Sequence, residues 1–233
     1  MKKNRIFLNA LFLLLAAGAL TCAGAAPVSI GGPLAGPGDG VNSKWVNLTY
    51  SPHNVDAAIG GLNLNPGDAG YISEVNQVVN AIDFSDSGYQ GFVPGVSMDP
   101  LTPDDSFAVR YYGYLNITNS DLYTFNAYTD DGFRLNIGGE MVGQYYGDRS
   151  PGSTVFSVNL AAGLYAFEMI GWEQGGVFVN ELTWRGSNAN LFSLVDSDVL
   201  FTQAPGEPVP EPATMFLLGS GLMGLVGLKR KKK

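Results

Sequence analysis

Asp130 and Asp131 are adjacent carboxylates at the end of an alternating run, Tyr123-Thr-Phe-Asn-Ala-Tyr-Thr-Asp-Asp-Gly132. Two such groups could hold a hard cation, which takes six to eight oxygen ligands. In a regular strand neighbouring side chains point to opposite faces, so the pair could grip one ion only through an unusual backbone, such as a cis peptide between them. The bland alternative is a polar β-turn, because Asp and Gly favour turns without any metal. Other chemistries have little to work with. The sole histidine, His53, sits in the turn-like Ser51-Pro52-His53-Asn54, and the sole cysteine is Cys22, near the N-terminus. Disulfides within the body, Cys-rich zinc sites and Cys/His dyads are thereby excluded. A pair of carboxylates can hydrolyse a glycoside unaided, so a glycan-acting hydrolase stays open. Two motif matches lack their context. Gly219-Ser-Gly221-Leu-Met-Gly224 fits a dinucleotide fingerprint but follows no strand, and Asn63, Asn65 and Glu74 are spaced like a calcium loop but enclose Pro66 and lack flanking helices.

The elements that must position the aspartates read as strands. Tyr123, Phe125 and Ala127 alternate with polar partners before the pair, and Phe133, Leu135 and Ile137 do so after it. Thr129 to Gly132 then reads as a loop at a sheet end. Further strands are predicted at Trp45 to Tyr50, Phe107 to Leu115, Val155 to Leu160, Leu164 to Trp172, Val177 to Trp184 and Asp198 to Thr202. Ile72 to Phe84 fits a short helix or an irregular strand. With 31 Gly and 13 Pro spread between these runs, the fold class is all-β, an antiparallel β-barrel or sandwich.

The two ends read differently from the body. Lys2, Lys3 and Arg5, an apolar run from Ile6 to Leu20 and Ala23-Gly24-Ala25 make residues 1–25 a signal peptide for signal peptidase. Residues 26–45 form a Gly/Pro-rich lead-in, 46–202 the β-domain and 203–212 a Pro-rich linker. Ala213 to Leu228 is free of charge and is followed by the basic tail Lys229-Arg-Lys-Lys-Lys233. The apolar helix reaches about 24 Å, slightly short of the roughly 30 Å hydrocarbon core, with the basic tail held in the cytoplasm. Between Ala26 and Pro205, five basic residues stand against nineteen acidic ones, a formal balance of −14. No positive patch is left to bind nucleic acid.

Two resemblances add to this reading. Phe107-Ala-Val-Arg-Tyr-Tyr-Gly-Tyr-Leu115, Leu122-Tyr-Thr-Phe125, Thr129-Asp-Asp-Gly-Phe-Arg-Leu135, Ile137-Gly-Gly139, Leu160-Ala-Ala-Gly-Leu-Tyr165 and Leu182-Thr-Trp184 together resemble the protective-antigen domain, a β-barrel module of toxins, glycosidases and adhesins. The family's sugar-binding adhesins hold calcium between a cis-linked Asp pair and a second loop that normally supplies an Asn; the ion then ligates sugar hydroxyls. The resemblance places Asp130 and Asp131 at the pair. The second loop is Trp172-Glu173-Gln174-Gly175-Gly176, which has no Asn, so Glu173 or Gln174 is the substitute ligand. Tyr145, Tyr146 and Trp172 are the aromatic candidates for sugar contact. Val209-Pro210-Glu211-Pro212, with the apolar helix and basic tail behind it, resembles the PEP-CTERM sorting signal. That implies an exosortase as partner, transient anchoring in the inner membrane with the body outside, and delivery to the cell surface or an exopolysaccharide matrix. The expectation is a non-enzymatic, calcium-assisted carbohydrate-binding protein. A structural matrix protein that binds no sugar is the alternative.

Overall fold

A computed structural model describes residues 25–86, 97–98, 100–101 and 106–205. The expected signal peptide, PEP motif, apolar helix and basic tail lie outside the described residues. Among the described residues no helix is long and apolar enough to cross a membrane.

The chain forms β1 (Val41–Leu48), α1 (Val55–Leu62), β2 (Tyr71–Val79), β3 (Asp83–Ser85), β4 (Ser97–Met98), β5 (Phe107–Ile117), β6 (Asp121–Asp130), β7 (Phe133–Ile137), β8 (Glu140–Tyr145), β9 (Gly152–Leu160), β10 (Gly163–Glu173), β11 (Val179–Arg185), β12 (Ser193–Leu194) and β13 (Leu200–Phe201). One sheet runs β2-β1-β5-β10-β7-β8, with β13 also on β5. The other runs β4-β3-β11-β6-β9, with β12 on β11. Every pairing is antiparallel except the short β3–β4 contact. Among the described residues each sheet ends in strands paired on one side only, so of the two expected architectures the sandwich is the one formed.

Alternation decides which side chains fill the space between the sheets. Phe125 and Ala127 of β6, Phe133, Leu135 and Ile137 of β7, and Phe167 and Met169 of β10 all turn inward and are buried. Trp45 is fully buried among Phe84, Phe107, Tyr111 and Phe178, with ring centroids 5.1–5.8 Å away. These edge-on and tilted contacts suit the quadrupoles of aromatic rings. Ser43 Oγ accepts the indole N–H at 3.1 Å, so the one polar atom of that ring is not stranded in the core.

Three elements differ from the sequence reading. The expected loop at a sheet end is a crossover: β6 pairs with β9 and β11 in one sheet, whereas β7 pairs with β8 and β10 in the other. Asp130, Asp131 and Gly132 therefore carry the chain between sheets. The segment from Ile72 resolves into edge strand β2 and short β3. Val75 and Val79, four residues apart, share one face of a strand as readily as one face of a helix, which made the pattern ambiguous. The helix α1 falls in a stretch to which the sequence reading assigned no element, after the turn at Ser51 to Asn54, and it ends at Asn63, where no flanking helix was expected. Its N-cap Asn54 accepts the Ala57 N–H at 2.9 Å, and Val55, Ala58 and Leu62 pack on Val46, Leu48, Ala108, Ile170 and Trp172. This second apolar cluster supports the back of β10 immediately before Glu173.

Candidate metal centre

The acidic centre lies where β6 and β10 end. The peptide between Asp130 and Asp131 is cis. Ligand atoms of Asp130, Asp131 and Glu173 lie within 4.8 Å of one another, and all three residues are buried. Backbone bonds fix their places. The Asp131 N–H donates to the Trp172 carbonyl at 3.0 Å, and the Gln174 N–H donates to Asp131 Oδ2 at 2.8 Å. The tip of β10 is thus stitched to the crossover on both sides of Glu173.

Gly132 is required by close approach. A Cβ at this position would run into the Tyr145 and Gly147 carbonyls and the Trp172 ring. Arg149 secures the other side. Its Nε donates to the Thr129 carbonyl at 3.0 Å and the Asp131 carbonyl at 3.3 Å, while its other nitrogens reach Thr154 Oγ1, Thr129 Oγ1 and the Ala127 carbonyl. The guanidinium also lies 4.6 Å from the Tyr145 ring centroid. It is spent on carbonyls and hydroxyls, and among the described residues no salt bridge reaches the three carboxylates.

Crowded carboxylates with little direct compensation hold their protons. Burial raises Asp130 to about 7, reinforced by the charge of Asp131. Burial raises Asp131 to about 6, opposed by hydrogen bonds from the Gln174 and Arg149 amides. Burial raises Glu173 to about 8, opposed by the Gly175 amide and reinforced by Asp131, Asp130 and Asp86. Glu173 Oε1 accepts that Gly175 N–H at 2.6 Å, but Oε2 is buried with no hydrogen-bond partner. An orphaned carboxylate oxygen beside two aspartates is the donor set a hard cation requires.

A hollow of about 430 Å³ opens beside the centre, lined by Asp130, Asp131, Asp148, Arg149, Gln174 and Val177 among others. Of the residues singled out in the sequence, the structure brings Asp130, Asp131 and Glu173 together. Gln174 joins them through its backbone amide, while its side-chain Nε2 reaches only the Gly175 carbonyl at 3.5 Å. Tyr145 and Tyr146 are both exposed; the Tyr145 ring lies against Arg149, whereas the Tyr146 hydroxyl donates to Asp56 of α1 at 2.8 Å. Trp172 is fully buried in the α1 cluster and presents no open ring face; its Nε1 donates to Asp148 Oδ1 at 3.2 Å. His53 contacts the same Asp148 at 2.7 Å from an exposed position, a surface pairing rather than a dyad. Asp148 and Arg149 escaped sequence reasoning. Their signal was an acid and a base side by side in the Gly-rich stretch from Gly147 to Gly152, a chain otherwise poor in arginine.

Residues 85–196 match the family model of the PA14 domain, and residues 208–231 match that of the PEP-CTERM protein-sorting motif. No curated protein matches the chain in sequence. Among solved structures, the fold is similar to the PA14 domain of the MpAFP antifreeze protein, at 20% identity and a TM-score of 0.57 over 70% of this chain and 90% of that one. A PA14 sugar-binding domain from an RTX adhesin gives 19% identity and 0.53, over 71% and 99%. The Epithelial Adhesin 6 A domain from Candida glabrata, solved in complex with Galb1-3GlcNAc, gives 16% and 0.52, over 74% and 92%. At these identities the structural likeness speaks for the fold, and the family matches agree with it. In sequence, then, the chain is similar to the PA14 domain over residues 85–196 and, behind it, to the PEP-CTERM protein-sorting motif.

Proposed function

We propose that the protein is an exported surface protein whose PA14 domain binds carbohydrate through a calcium ion. The observation that carries this reading is the convergence of Asp130, Asp131 and Glu173 around the unpartnered Glu173 Oε2. These three carboxylates would hold the ion, with Glu173 taking the place of the Asn expected from the second loop. When bound, calcium supplies open coordination positions for vicinal sugar hydroxyls. The chain's own residues do the rest. Arg149 and the Gln174 amide hold Asp131 in place, and the hollow beside the centre gives a sugar ring room at its mouth. Three acids converging on one point suit an ion better than a scissile bond, which needs two acids flanking it. Binding without turnover is therefore the activity we assign.

Export begins with the signal peptide, residues 1–25. The segment 213–228 then anchors the chain transiently in the inner membrane, with the body outside, until an exosortase acts at Val209 to Pro212. Two similar structures, a sugar-binding domain from an RTX adhesin and an adhesin domain holding Galb1-3GlcNAc, support the glycan as ligand. Retention of the purified protein on exopolysaccharide from its producing cells tests the reading. Retention in calcium and release by a chelator, both abolished by Asp131→Asn, are expected. Equal passage through the column with calcium or chelator would favour the structural matrix protein instead.

A further inference from the structure

The strand β2 ends the seven-stranded sheet and, among the described residues, pairs only with β1. Six of its nine residues are exposed, among them Ile72 at 48% and Val78 at 54%. Long edge strands are usually guarded by Pro, Lys or a bulge. β2 contains no Pro, Gly or Lys; its register with β1 is regular from Val79 to Ser73, and the one irregularity is confined to its start, where Ile72 is skipped between the Ser73 and Tyr71 pairs. Its single charge, Glu74, is already matched at 3.2 Å by Lys44 of β1.

The order of residue types along this edge is the same in both directions about Val75. Tyr71 and Ile72 are apolar, Ser73 and Glu74 polar, Val75 apolar, Asn76 and Gln77 polar, Val78 and Val79 apolar. We propose that β2 pairs antiparallel with β2 of a second copy of this chain, about a two-fold axis through Val75. Each residue type then meets its own kind, and every contact of residue i with residue j recurs as j with i, as in any isologous interface. Ile72 faces Val78 of the second copy, so the two exposed apolar side chains at the ends of the strand cover each other. Glu74 faces Asn76 of the second copy, where the amide can donate to the carboxylate. The chemistry of that pair is already visible within one chain, where Asn76 Nδ2 donates to Glu74 Oε1 at 2.9 Å. Moving the axis to Glu74 would set two glutamates opposite each other, which is destabilising in a sheet. The register is thereby specified as well as the partner. Such pairing merges two seven-stranded sheets and makes any ligand site bivalent, which raises avidity without a new contact. The inference is independent of what the acidic centre binds.

Cysteine pairs test the register in the full-length protein carrying Cys22→Ser. Residues 72 and 78 of one strand are about 20 Å apart, beyond any disulfide, whereas facing residues across an antiparallel ladder have Cα atoms about 4.5–5.5 Å apart. Oxidation of Ile72→Cys/Val78→Cys should give a covalent dimer that neither single variant forms. Sedimentation of two variants at exposed Asn76 supplies a second reading. Asn76→Lys, facing Glu74 of the second copy, should strengthen association several-fold, and Asn76→Glu should weaken it by a similar factor. Equal cross-linking in the single and double cysteine variants, or a shift of both Asn76 variants in the same direction, would overturn the proposal.

Discussion

Replacing Glu173 with Gln should change stability in opposite directions with and without calcium. At 4.8 Å, the outer limit of separation among the three acids, two ionised carboxylates repel by about 3.5 kcal/mol at an effective dielectric near 20. Glu173→Gln removes two such pairs. It keeps an oxygen able to accept the Gly175 N–H and gains a donor that can face Asp130 or Asp131. Below about pH 6 the acids are largely protonated and the variant should melt with the wild type. Above about pH 8, where all three ionise in the wild type, the metal-free variant should be the more stable by about 1–3 kcal/mol after relaxation and screening. For a domain of this size class, that is roughly 2–12 °C in Tm. Calcium reverses the order. Ion at about 100 times Kd adds about 2.7 kcal/mol to the wild type, or roughly 5–11 °C, and the variant should lose most of that gain. Differential scanning calorimetry at pH 5 and pH 9, with calcium and with chelator, reads all four states. A metal-free variant less stable than wild type at pH 9, or one that keeps the full calcium shift, would refute the reasoning.

Four further outcomes follow from the structure. Because Asp130, Asp131 and Glu173 have raised pKa values in the folded state, that state binds more protons than the unfolded chain between about pH 4 and 8; metal-free stability should fall as pH rises through this window and level off above it. Calcium affinity should move the opposite way, rising from pH 6 to about pH 8 as protons stop competing, with proton release measurable by calorimetry in buffers of different ionisation enthalpy. Gly132→Ala should destabilise the protein by about 1–3 kcal/mol and weaken calcium binding, since the new methyl meets two carbonyls and the Trp172 ring. Trp45→Ala should cost about 3–5 kcal/mol in chemical denaturation while leaving calcium binding intact in the fraction that stays folded, because this ring fills the core between the sheets and not the acidic centre.

Period-two alternation made most strands of the sandwich legible, and β5, β10 and β11 lie close to where the pattern puts them. Pairing partners were not legible. Tyr123 to Ile137 reads as one hinged unit because alternation shows only which face of a strand is apolar; the two halves join different sheets. α1 was hidden for a related reason. Its eight residues include two glycines and only a short apolar stripe, so its helical state owes more to Asn54 and to packing on Ile170 and Trp172 than to its own pattern. At the candidate site, the resemblance supplied Asp130, Asp131 and the altered second loop. It could not choose between Glu173 and Gln174. The parity of β10 turns the Glu173 side chain towards the crossover and leaves Gln174 contributing an amide. Arg149 acts through backbone carbonyls about twenty residues away, contacts that carry no sequence signature.

The central claim is that Asp130, Asp131 and Glu173 form one calcium site. Calorimetric titration of calcium into metal-stripped full-length protein at pH 8 tests it most directly. One ion bound per chain with release of protons is expected, with loss of that binding in both Asp131→Asn and Glu173→Gln. Absence of binding in the wild type, or binding that survives both substitutions unchanged, would contradict it.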